Sequence, residues 1–230
     1  MYFFRLSFFS PLYSEKNMNL ARLVTASFVK RYYCNAPNAD VLVVKPLRPT
    51  EQPDVVILGS SLMRRWPLFQ TATLSRRVTN LGKDWLTARD LAHVENDEVF
   101  RSINDVPTIV LYIGSNDFLR CGSTEDLKKN LETILAKLPP LANVLFIRIM
   151  LSRTLASMMT HETLNIANEH AMDLLKQRPG RFETVSIDAI VEQMEAHGES
   201  AFTFDGIHLT TAAYARLADI VKPILSEFAM

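Results

Sequence analysis

The sequence predicts an α/β fold with a mostly parallel sheet that helices cover on both faces. Short apolar segments rich in β-branched residues alternate along the chain with longer segments of helical periodicity. The strand-like segments are continuously apolar, which is the pattern of strands buried on both faces. No internal repeat or low-complexity tract interrupts this alternation.

The first part of the chain, residues 1–50, is predicted to be an arm and a helix packed on a catalytic domain formed by residues 51–230. Arg5 and Pro11 divide the apolar runs of the arm, and no small-residue cleavage site follows. An uncleaved anchor or an atypical export signal is the alternative for this arm. Residues 18–33 predict an amphipathic helix, with an apolar face made of Leu20, Leu23, Val24, Phe28 and Tyr32.

Five strands are predicted along the rest of the chain, over residues 54–58, 77–80, 108–113, 144–150 and 182–187. The prolines before the first of them make residues 35–53 a connection, with 41–44 as a short edge strand. A proline in the middle of a sheet would remove a ladder hydrogen bond, so this stretch is not expected to lie centrally.

Helices are predicted between and after these strands. The stretch 85–100 has a broken helical pattern, and a clear helix begins behind Ser123, a typical N-cap, and ends at Pro139. A long helical region follows over 154–178, and a short helix runs up to Gly198. The last helix has its apolar residues at helical spacing: Tyr214, Leu217, Val221, Ile224, Leu225 and Phe228.

Composition excludes several function classes. With 230 residues, 48% of them apolar and 22% charged, the chain is an ordinary globular domain. Its 25 basic and 25 acidic residues balance, which gives no bulk attraction for nucleic acid or for an anionic membrane surface. The two cysteines predict free thiols of a reducing compartment, hence a cytoplasmic protein without a disulfide framework, and no Cys/His cluster has the spacing of a metal site. No segment after the arm is long and uncharged enough to cross a membrane, so we expect no stable membrane insertion.

Polar turns follow three of the predicted strands. They are Gly59-Ser60-Ser61, Asn80-Leu81-Gly82 and Gly114-Ser115-Asn116-Asp117. Because the carboxyl ends of parallel strands lie at the same edge of a sheet, we expect these turns to meet there, where ligands of such folds bind.

A serine at a tight strand-to-helix turn is well placed to reach a substrate. The backbone N–H groups of Ser61 and Gly82, with the side-chain amide of Asn116, are candidate donors to an oxyanion. Ordinary turn chemistry is the alternative reading of Gly82 and Asn116. Asp205 and His208 stand three residues apart, a spacing that lets an aspartate orient an imidazole that acts as a base.

Together these four stretches resemble one known family, the SGNH hydrolases (GDSL-type esterases and lipases). The family's first block, Gly-Asp-Ser-Leu, is similar to residues 59–62, which assigns the nucleophile to Ser61 and not to Ser60. The other matching residues are Asn80, Gly82 and Thr87 for the second block, Gly114, Asn116 and Asp117 for the third, and Asp205, His208 and Leu209 for the last. The resemblance spans roughly residues 54–225 and leaves the first fifty uncovered.

The resemblance implies a flavodoxin-like three-layer sandwich with a five-stranded sheet in the order 2-1-3-4-5. It also implies hydrolysis of a small-molecule ester through an acyl-enzyme, with no metal or organic cofactor. Ser61 would be the nucleophile, His208 the base and Asp205 the residue that orients the base. Ser61, Gly82 and Asn116 would bind the oxyanion.

This chain departs from the family pattern at two positions. Ser60 stands in place of the aspartate of the first block, and Trp85 in place of the second glycine of the second block. We expect Trp85, with Trp66 and Phe118, to line an acyl or sugar pocket, and Arg148 to meet an anionic substrate. Ordinary packing of the aromatic residues, and a surface or cap role for the arginine, are the alternatives.

Two other functions stay open on the same residues. An acyltransferase would pass the acyl group to an alcohol instead of water, and a non-catalytic binding module would retain only the architecture. Acetylated carbohydrate, short-chain ester, lysophospholipid and thioester are all possible substrates. The bulk of Trp85 and the lack of a long apolar lid segment favour a small acyl group. The sequence does not indicate an oligomeric state.

Overall fold

The structure, a computed structural model, describes residues 41–48, 50–67, 71, 77–120 and 122–229. Its strands are β1 Val55–Gly59, β2 Val78–Asn80, β3 Thr108–Tyr112, β4 Asn143–Ile147 and β5 Phe182–Val185. They form one sheet in the order β2-β1-β3-β4-β5, and all four pairings are parallel. This topology confirms the predicted fold class and strand order.

The helices in the described ranges lie between the strands and after the last one. They are α1 Ser61–Arg64, α2 Ala88–Ala92, α3 Asp97–Ser102, α4 Ser115–Leu119, α5 Thr124–Lys137, α6 His161–Lys176, α7 Asp188–Ala196 and α8 Thr211–Phe228, with 3₁₀ turns at Val94–Asn96 and Leu155–Ser157. Four of them begin behind a side-chain oxygen that accepts a backbone N–H three residues on: Thr87, Ser123, Thr160 and Thr210. Each such cap contributes about 1 kcal/mol.

The sheet separates two apolar cores, which makes the three-layer arrangement. Val56 and Leu58 of β1 belong to one core, whereas Val55 and Ile57 belong to the other, because successive side chains of a strand point to opposite faces. The first core includes the buried faces of α5 and α6, and the second includes that of α8. All five residues of β1 and of β3 are buried, as their continuously apolar sequences predicted.

The short edge strand predicted over residues 41–44 is absent, since the segment 41–48 has no strand. Its backbone is held by side chains from the helical region that follows β2: Val44 N–H donates to Asn96 Oδ1 (2.6 Å), and Leu47 N–H to Ser102 Oγ (3.0 Å). Val44 and Leu47 are buried in the first core. Side-chain acceptors therefore satisfy backbone groups for which a neighbouring strand was expected.

The end of β4 also differs from the prediction. The strand ends at Ile147 and not at Met150, and the backbone of Ile149 pairs with the Asn168 side chain of α6. That side chain accepts the Ile149 N–H (2.8 Å) and donates to the Ile149 carbonyl (3.0 Å). The predicted helical region 154–178 is likewise divided, since Leu155–Ser157 forms a separate 3₁₀ turn before α6 begins.

The predicted arm and the helix over residues 18–33 lie outside the described residues, as do Cys34 and Cys121. Within the described ranges, no helix is both long and apolar enough to cross a membrane.

Candidate active site

The turn after β1 puts Ser61 at the carboxyl edge of the sheet. Gly59 ends the strand with a φ of +153°, and a Cβ on it would lie 2.0 Å from the carbonyl oxygen of Tyr112. Only glycine permits this close approach of β1 to the end of β3. Ser61 follows as the first residue of α1, with its side chain largely buried.

Ser61, His208 and Asp205 form a continuous chain of hydrogen bonds. Ser61 Oγ lies 2.9 Å from His208 Nε2, and His208 Nδ1 lies 2.7 Å from Asp205 Oδ2. When the Nδ1–H donates to the carboxylate, Nε2 is left to accept the serine proton. The structure thus brings together three side chains whose positions in the sequence are up to 147 residues apart.

Asp205 is held as an anion by the loop that carries it. Its Oδ1 accepts the backbone N–H groups of Ile207 (2.9 Å) and His208 (3.0 Å) and the hydroxyl of Thr203 (2.8 Å). Burial raises the pKa of Asp205, but the hydrogen bonds from His208, Ile207 and Thr203 outweigh it and bring the pKa to about 2. Sequence reasoning did not identify the role of Thr203.

The histidine loop is fixed to the serine turn by α8. The hydroxyl of Tyr214 donates to the carbonyl of Leu62 (2.6 Å), and the ring of Tyr214 stacks on Trp66 with centroids 6.2 Å apart. Phe202 and Leu209 form an isolated antiparallel bridge that closes the loop between them. These contacts hold the loop of Asp205 and His208 against α1.

Arg65 is a charged neighbour of the triad that sequence reasoning missed. Its Nη1 lies 3.0 Å from His208 Nδ1 and 3.7 Å from Asp205 Oδ2, and its Nε lies 3.7 Å from Asp84 Oδ1. The signal was present, since Arg65 stands four residues after Ser61, where a helical turn brings side chains together. The half-exposed guanidinium links the loop after β2 to the histidine loop.

Asn116 is buried at the start of α4, close to the loop that follows β2. Its Nδ2 donates to the carbonyl of Leu86 (3.0 Å). A primary amide carries two hydrogens, so Asn116 can donate a second bond to a ligand.

Gly82, whose N–H is a predicted oxyanion donor, lies in the loop that packs on α1. The Gly82 N–H carries a single hydrogen, and it donates to Asn80 Oδ1 (2.8 Å), while Asn80 Nδ2 donates to the Met63 carbonyl (2.7 Å). A Cβ on Gly82 would lie 2.4 Å from the backbone nitrogen of Arg64. Close packing of the loop on α1 therefore accounts for this glycine.

Trp85 occupies an unusual backbone conformation in the same loop. Among the described residues, it is the one non-glycine residue with a positive φ, +65°. A glycine adopts this conformation freely, whereas an L side chain costs about 1 kcal/mol or more there. Trp85 lies between Asp84, which pairs with Arg65, and Leu86, which accepts a hydrogen bond from Asn116. Its side chain is 39% exposed.

Two of the predicted pocket residues are core residues. Trp66 is 1% exposed within the second core, and Phe118 is 7% exposed within the first. Apolar packing, the alternative reading of both, therefore accounts for them. Arg148 lies beyond the end of β4, where its backbone N–H donates to the Val185 carbonyl. The described contacts do not join it to Ser61, His208 or Asp205.

Asp117 of the same turn as Asn116 serves the fold. Its carboxylate accepts the backbone N–H groups of Ala88 (2.8 Å) and Arg89 (3.3 Å) at the start of α2. Burial raises its pKa to about 7, even though these hydrogen bonds lower it. Among the described residues, no group of three or more His, Cys, Asp and Glu side chains is arranged to hold a metal ion.

No protein family's sequence profile and no curated protein sequence matches the chain. Solved structures do match it. A Streptococcus pneumoniae protein named for platelet activating factor is 20% identical with a TM-score of 0.64, and the match covers 91% of this chain and 97% of that one.

Two further structures share the fold over a smaller part of this chain. A lipase/acylhydrolase from Enterococcus faecalis is 18% identical with a TM-score of 0.61, and a carbohydrate esterase family 3 protein from Talaromyces cellulolyticus is 12% identical with a TM-score of 0.58. Each match covers 76% of this chain and 97% of the other. The chain therefore has the fold that the GDSL-type resemblance implied.

Proposed function

We propose that this protein is a serine ester hydrolase of the SGNH (GDSL) type that works through an acyl-Ser61 intermediate. One observation carries the proposal: at the carboxyl edge of the sheet, the His208 ring is hydrogen-bonded to Ser61 Oγ through one nitrogen and to the Asp205 carboxylate through the other. A nucleophile, a base and a group that orients the base are the parts that ester hydrolysis without a cofactor requires.

Acylation begins when Ser61 Oγ attacks the ester carbonyl while His208 Nε2 takes the hydroxyl proton. The imidazolium that forms is stabilised by Asp205, which is anionic at neutral pH because its pKa is about 2. Collapse of the tetrahedral intermediate breaks the bond to the alcohol, and His208 returns the proton to the departing oxygen. Water then attacks acyl-Ser61 with His208 again as base, which releases the acid and restores the serine.

The negative charge of the tetrahedral intermediate needs hydrogen-bond donors. The Ser61 backbone N–H and the second hydrogen of the Asn116 amide are the donors that we assign to this role. A donor fixed in place before reaction stabilises the developing charge without reorganisation, and one such donor contributes about 10²–10³ in rate.

We infer a small acyl group, such as acetyl, carried by a carbohydrate or a similar alcohol. The support is Trp85, which is 39% exposed and stands between Asp84, the partner of Arg65, and Leu86, the partner of Asn116. An indole there occupies space that a long acyl chain would need.

Hydrolysis of 4-nitrophenyl acetate tests the proposal. We expect turnover by the wild type, loss of at least about 10³-fold in kcat for Ser61→Ala, and little change for the matched control Ser60→Ala. The Ser60 hydroxyl is buried, and within the described part of the chain it has no hydrogen-bond partner. No turnover by the folded wild type, or equal loss in both variants, would contradict the proposal.

An acyltransferase with the same triad is the second candidate. Product analysis in the presence of an added sugar or alcohol separates the two functions, since transfer gives a new ester and hydrolysis gives free acid. Our proposal predicts that free acid remains the main product.

A further inference from the structure

A cavity of about 510 Å³ lies beside β2, next to the proposed active site. Its lining consists of residues 43–46, Arg48 and Glu51 before β1, and of Arg64 and residues 79–84 after it. This volume is within the range that holds a small-molecule ligand, and the carboxyl edge of a parallel sheet is where such ligands bind.

Basic side chains predominate in the lining of this cavity. Four of them contribute to it, Lys45, Arg48, Arg64 and Lys83, against two acidic ones, Glu51 and Asp84. A concave surface lined mainly by one sign of charge concentrates counter-ions of the opposite sign.

The two acids offset only part of the charge of the four bases. Asp84 pairs with Arg65, which does not line the cavity, and Glu51 accepts the backbone N–H of Arg48 (3.1 Å). Within the ranges that the structure describes, Lys45, Arg48 and Arg64 form no ion pair. The Lys83 ammonium donates to the Val43 carbonyl, a neutral acceptor. The cavity thus presents positive charge that the fold leaves uncompensated.

Arg64 joins the lining of the cavity to the short helix that begins at Ser61. Arg64 is three residues beyond Ser61 on α1. The Cβ atoms of helical residues at this spacing are about 5 Å apart. Gly82 packs against the backbone of Arg64, so the loop that lines the cavity also lies against the serine helix.

We propose that this cavity is a subsite for an anionic group, a carboxylate or a phosphate, on the ester that Ser61 hydrolyses. The inference rests on the proposed esterase function and narrows it to negatively charged esters. The anionic group of the substrate loses water and contacts the ammonium of Lys45 and the guanidinium of Arg64. The ester carbonyl of the same substrate lies at Ser61. The charges are partly exposed, so the selectivity falls as the salt concentration rises.

Two pairs of synthetic esters test the subsite, one with the charge on the acyl side and one with it on the alcohol side. The first compares mono-4-nitrophenyl succinate with 4-nitrophenyl butanoate, which has the same acyl length. The second compares 3-acetoxybenzoate with phenyl acetate. We expect kcat/KM to favour the anionic member of at least one pair by about tenfold or more after correction for the uncatalysed rates, mainly through a lower KM.

The double variant Lys45→Gln/Arg64→Gln should reduce that preference at least about fivefold. The matched control Lys129→Gln removes an exposed charge on α5, far along the chain from the cavity, and should retain the preference. Lys83 is left intact because its contact with Val43 holds the segment 43–48 in place.

Calorimetric titration with inorganic phosphate measures the subsite without any turnover. Binding that weakens at least about tenfold in the double variant but not in Lys129→Gln supports an anion site. Absence of phosphate binding to the wild type would overturn the inference.

The two proposals fail in different ways. Hydrolysis of both members of each pair without a preference, or with a preference that survives in the double variant, overturns the subsite and leaves the esterase. No hydrolysis of any ester by folded protein overturns the esterase, and the phosphate titration then decides whether the cavity binds anions.

Discussion

Arg65 and His208 are in direct contact, with Nη1 of the guanidinium 3.0 Å from Nδ1 of the imidazole. The same Nδ1 lies 2.7 Å from Asp205 Oδ2. A single ring nitrogen cannot donate to the carboxylate and accept from the guanidinium at once. The tautomer that can take the serine proton is the one that donates to Asp205, so the guanidinium then acts on the ring through its charge.

The first prediction concerns that charge. Arg65→Gln removes a cation beside the imidazole, which makes the protonated ring easier to form. Other charges facing His208 are Asp205 on its own loop and, one contact further, Asp84 on the loop after β2. We expect kcat/KM of Arg65→Gln to fall more steeply than that of the wild type as the pH is lowered, although solvent screens this half-exposed charge.

A pH profile measured between pH 4 and 9 on a neutral ester checks this dependence. Arg89→Gln, which removes an exposed charge from α2, is the control and should follow the wild-type profile. If kcat/KM of Arg65→Gln depends on acidic pH as that of the wild type does, or less steeply, the guanidinium does not act on the charge of the imidazole.

The second prediction concerns the oxyanion. Asn116→Ala should lower kcat by about a hundredfold or more with little change in KM. The reason is that the second amide hydrogen is assigned to the oxyanion of the transition state and not to the bound substrate. The exposed Asn104→Ala is the matched control. Thermal melting verifies that the loss of the Leu86 contact has not unfolded the variant. A fall in kcat of less than tenfold would remove Asn116 from the oxyanion site.

The third prediction concerns Trp85 and acyl length. Trp85→Gly and Trp85→Ala both remove the indole, and each should raise kcat/KM for an octanoyl ester relative to the acetyl ester by about tenfold or more. The ratio is measured on a series of 4-nitrophenyl esters. An unchanged acyl-length profile in both variants would show that the indole does not limit the pocket.

The same pair of variants separates backbone strain from side-chain bulk. Of the two replacements, only glycine adopts the positive φ of +65° at this position without steric strain. We expect Trp85→Gly to be more stable than Trp85→Ala by up to about 1 kcal/mol in urea unfolding, since part of the relief is offset by the greater freedom of glycine in the unfolded chain. Alanine equal to or better than glycine would contradict the left-handed conformation.

The fourth prediction concerns Asp117 and pH-dependent stability. Its folded-state pKa of about 7 exceeds the ordinary aspartate value near 4, so between these values the folded chain keeps a proton that the unfolded chain has released. This residue therefore makes the free energy of unfolding fall as the pH rises from about 4 to 7, by at most about 1.4 kcal/mol per unit.

Urea unfolding of Asp117→Asn at several pH values tests this linkage. The variant does not titrate at this position, so its stability should fall less steeply than that of the wild type over the same interval. Asp105→Asn, at an exposed turn, is the control. If the free energies of unfolding of the wild type and of Asp117→Asn change with pH in parallel, Asp117 does not keep its proton in the folded state, and the prediction is wrong.

Much of this architecture could be predicted because local patterns determine it. The apolar runs of β1 and β3 admit little other than buried parallel strands, and Ser123 marks the start of α5 in both sequence and structure. Parallel pairing then places Ser61 and Asn116 at the same edge of the sheet. These features follow from short-range sequence and one topological rule.

The features that were missed depend on side chains meeting across the fold. The 41–48 segment satisfies its backbone through Asn96 and Ser102, and no strand-propensity argument could anticipate those partners. Trp66 and Phe118 read equally well as pocket walls or as core until the layers are assembled. Gly82 was predicted as an oxyanion donor from the turn after β2, and the closeness of the Arg64 backbone to it could not be predicted.

Covalent labelling by a fluorophosphonate probe, read by mass spectrometry of the intact protein and of its peptides, tests the central claim most directly. The account predicts one adduct on Ser61 of the wild type, retained in Ser60→Ala, absent in Ser61→Ala and at least about a hundredfold slower in His208→Ala. Folded wild type that forms no adduct, or an adduct on another residue that persists in Ser61→Ala, would contradict it.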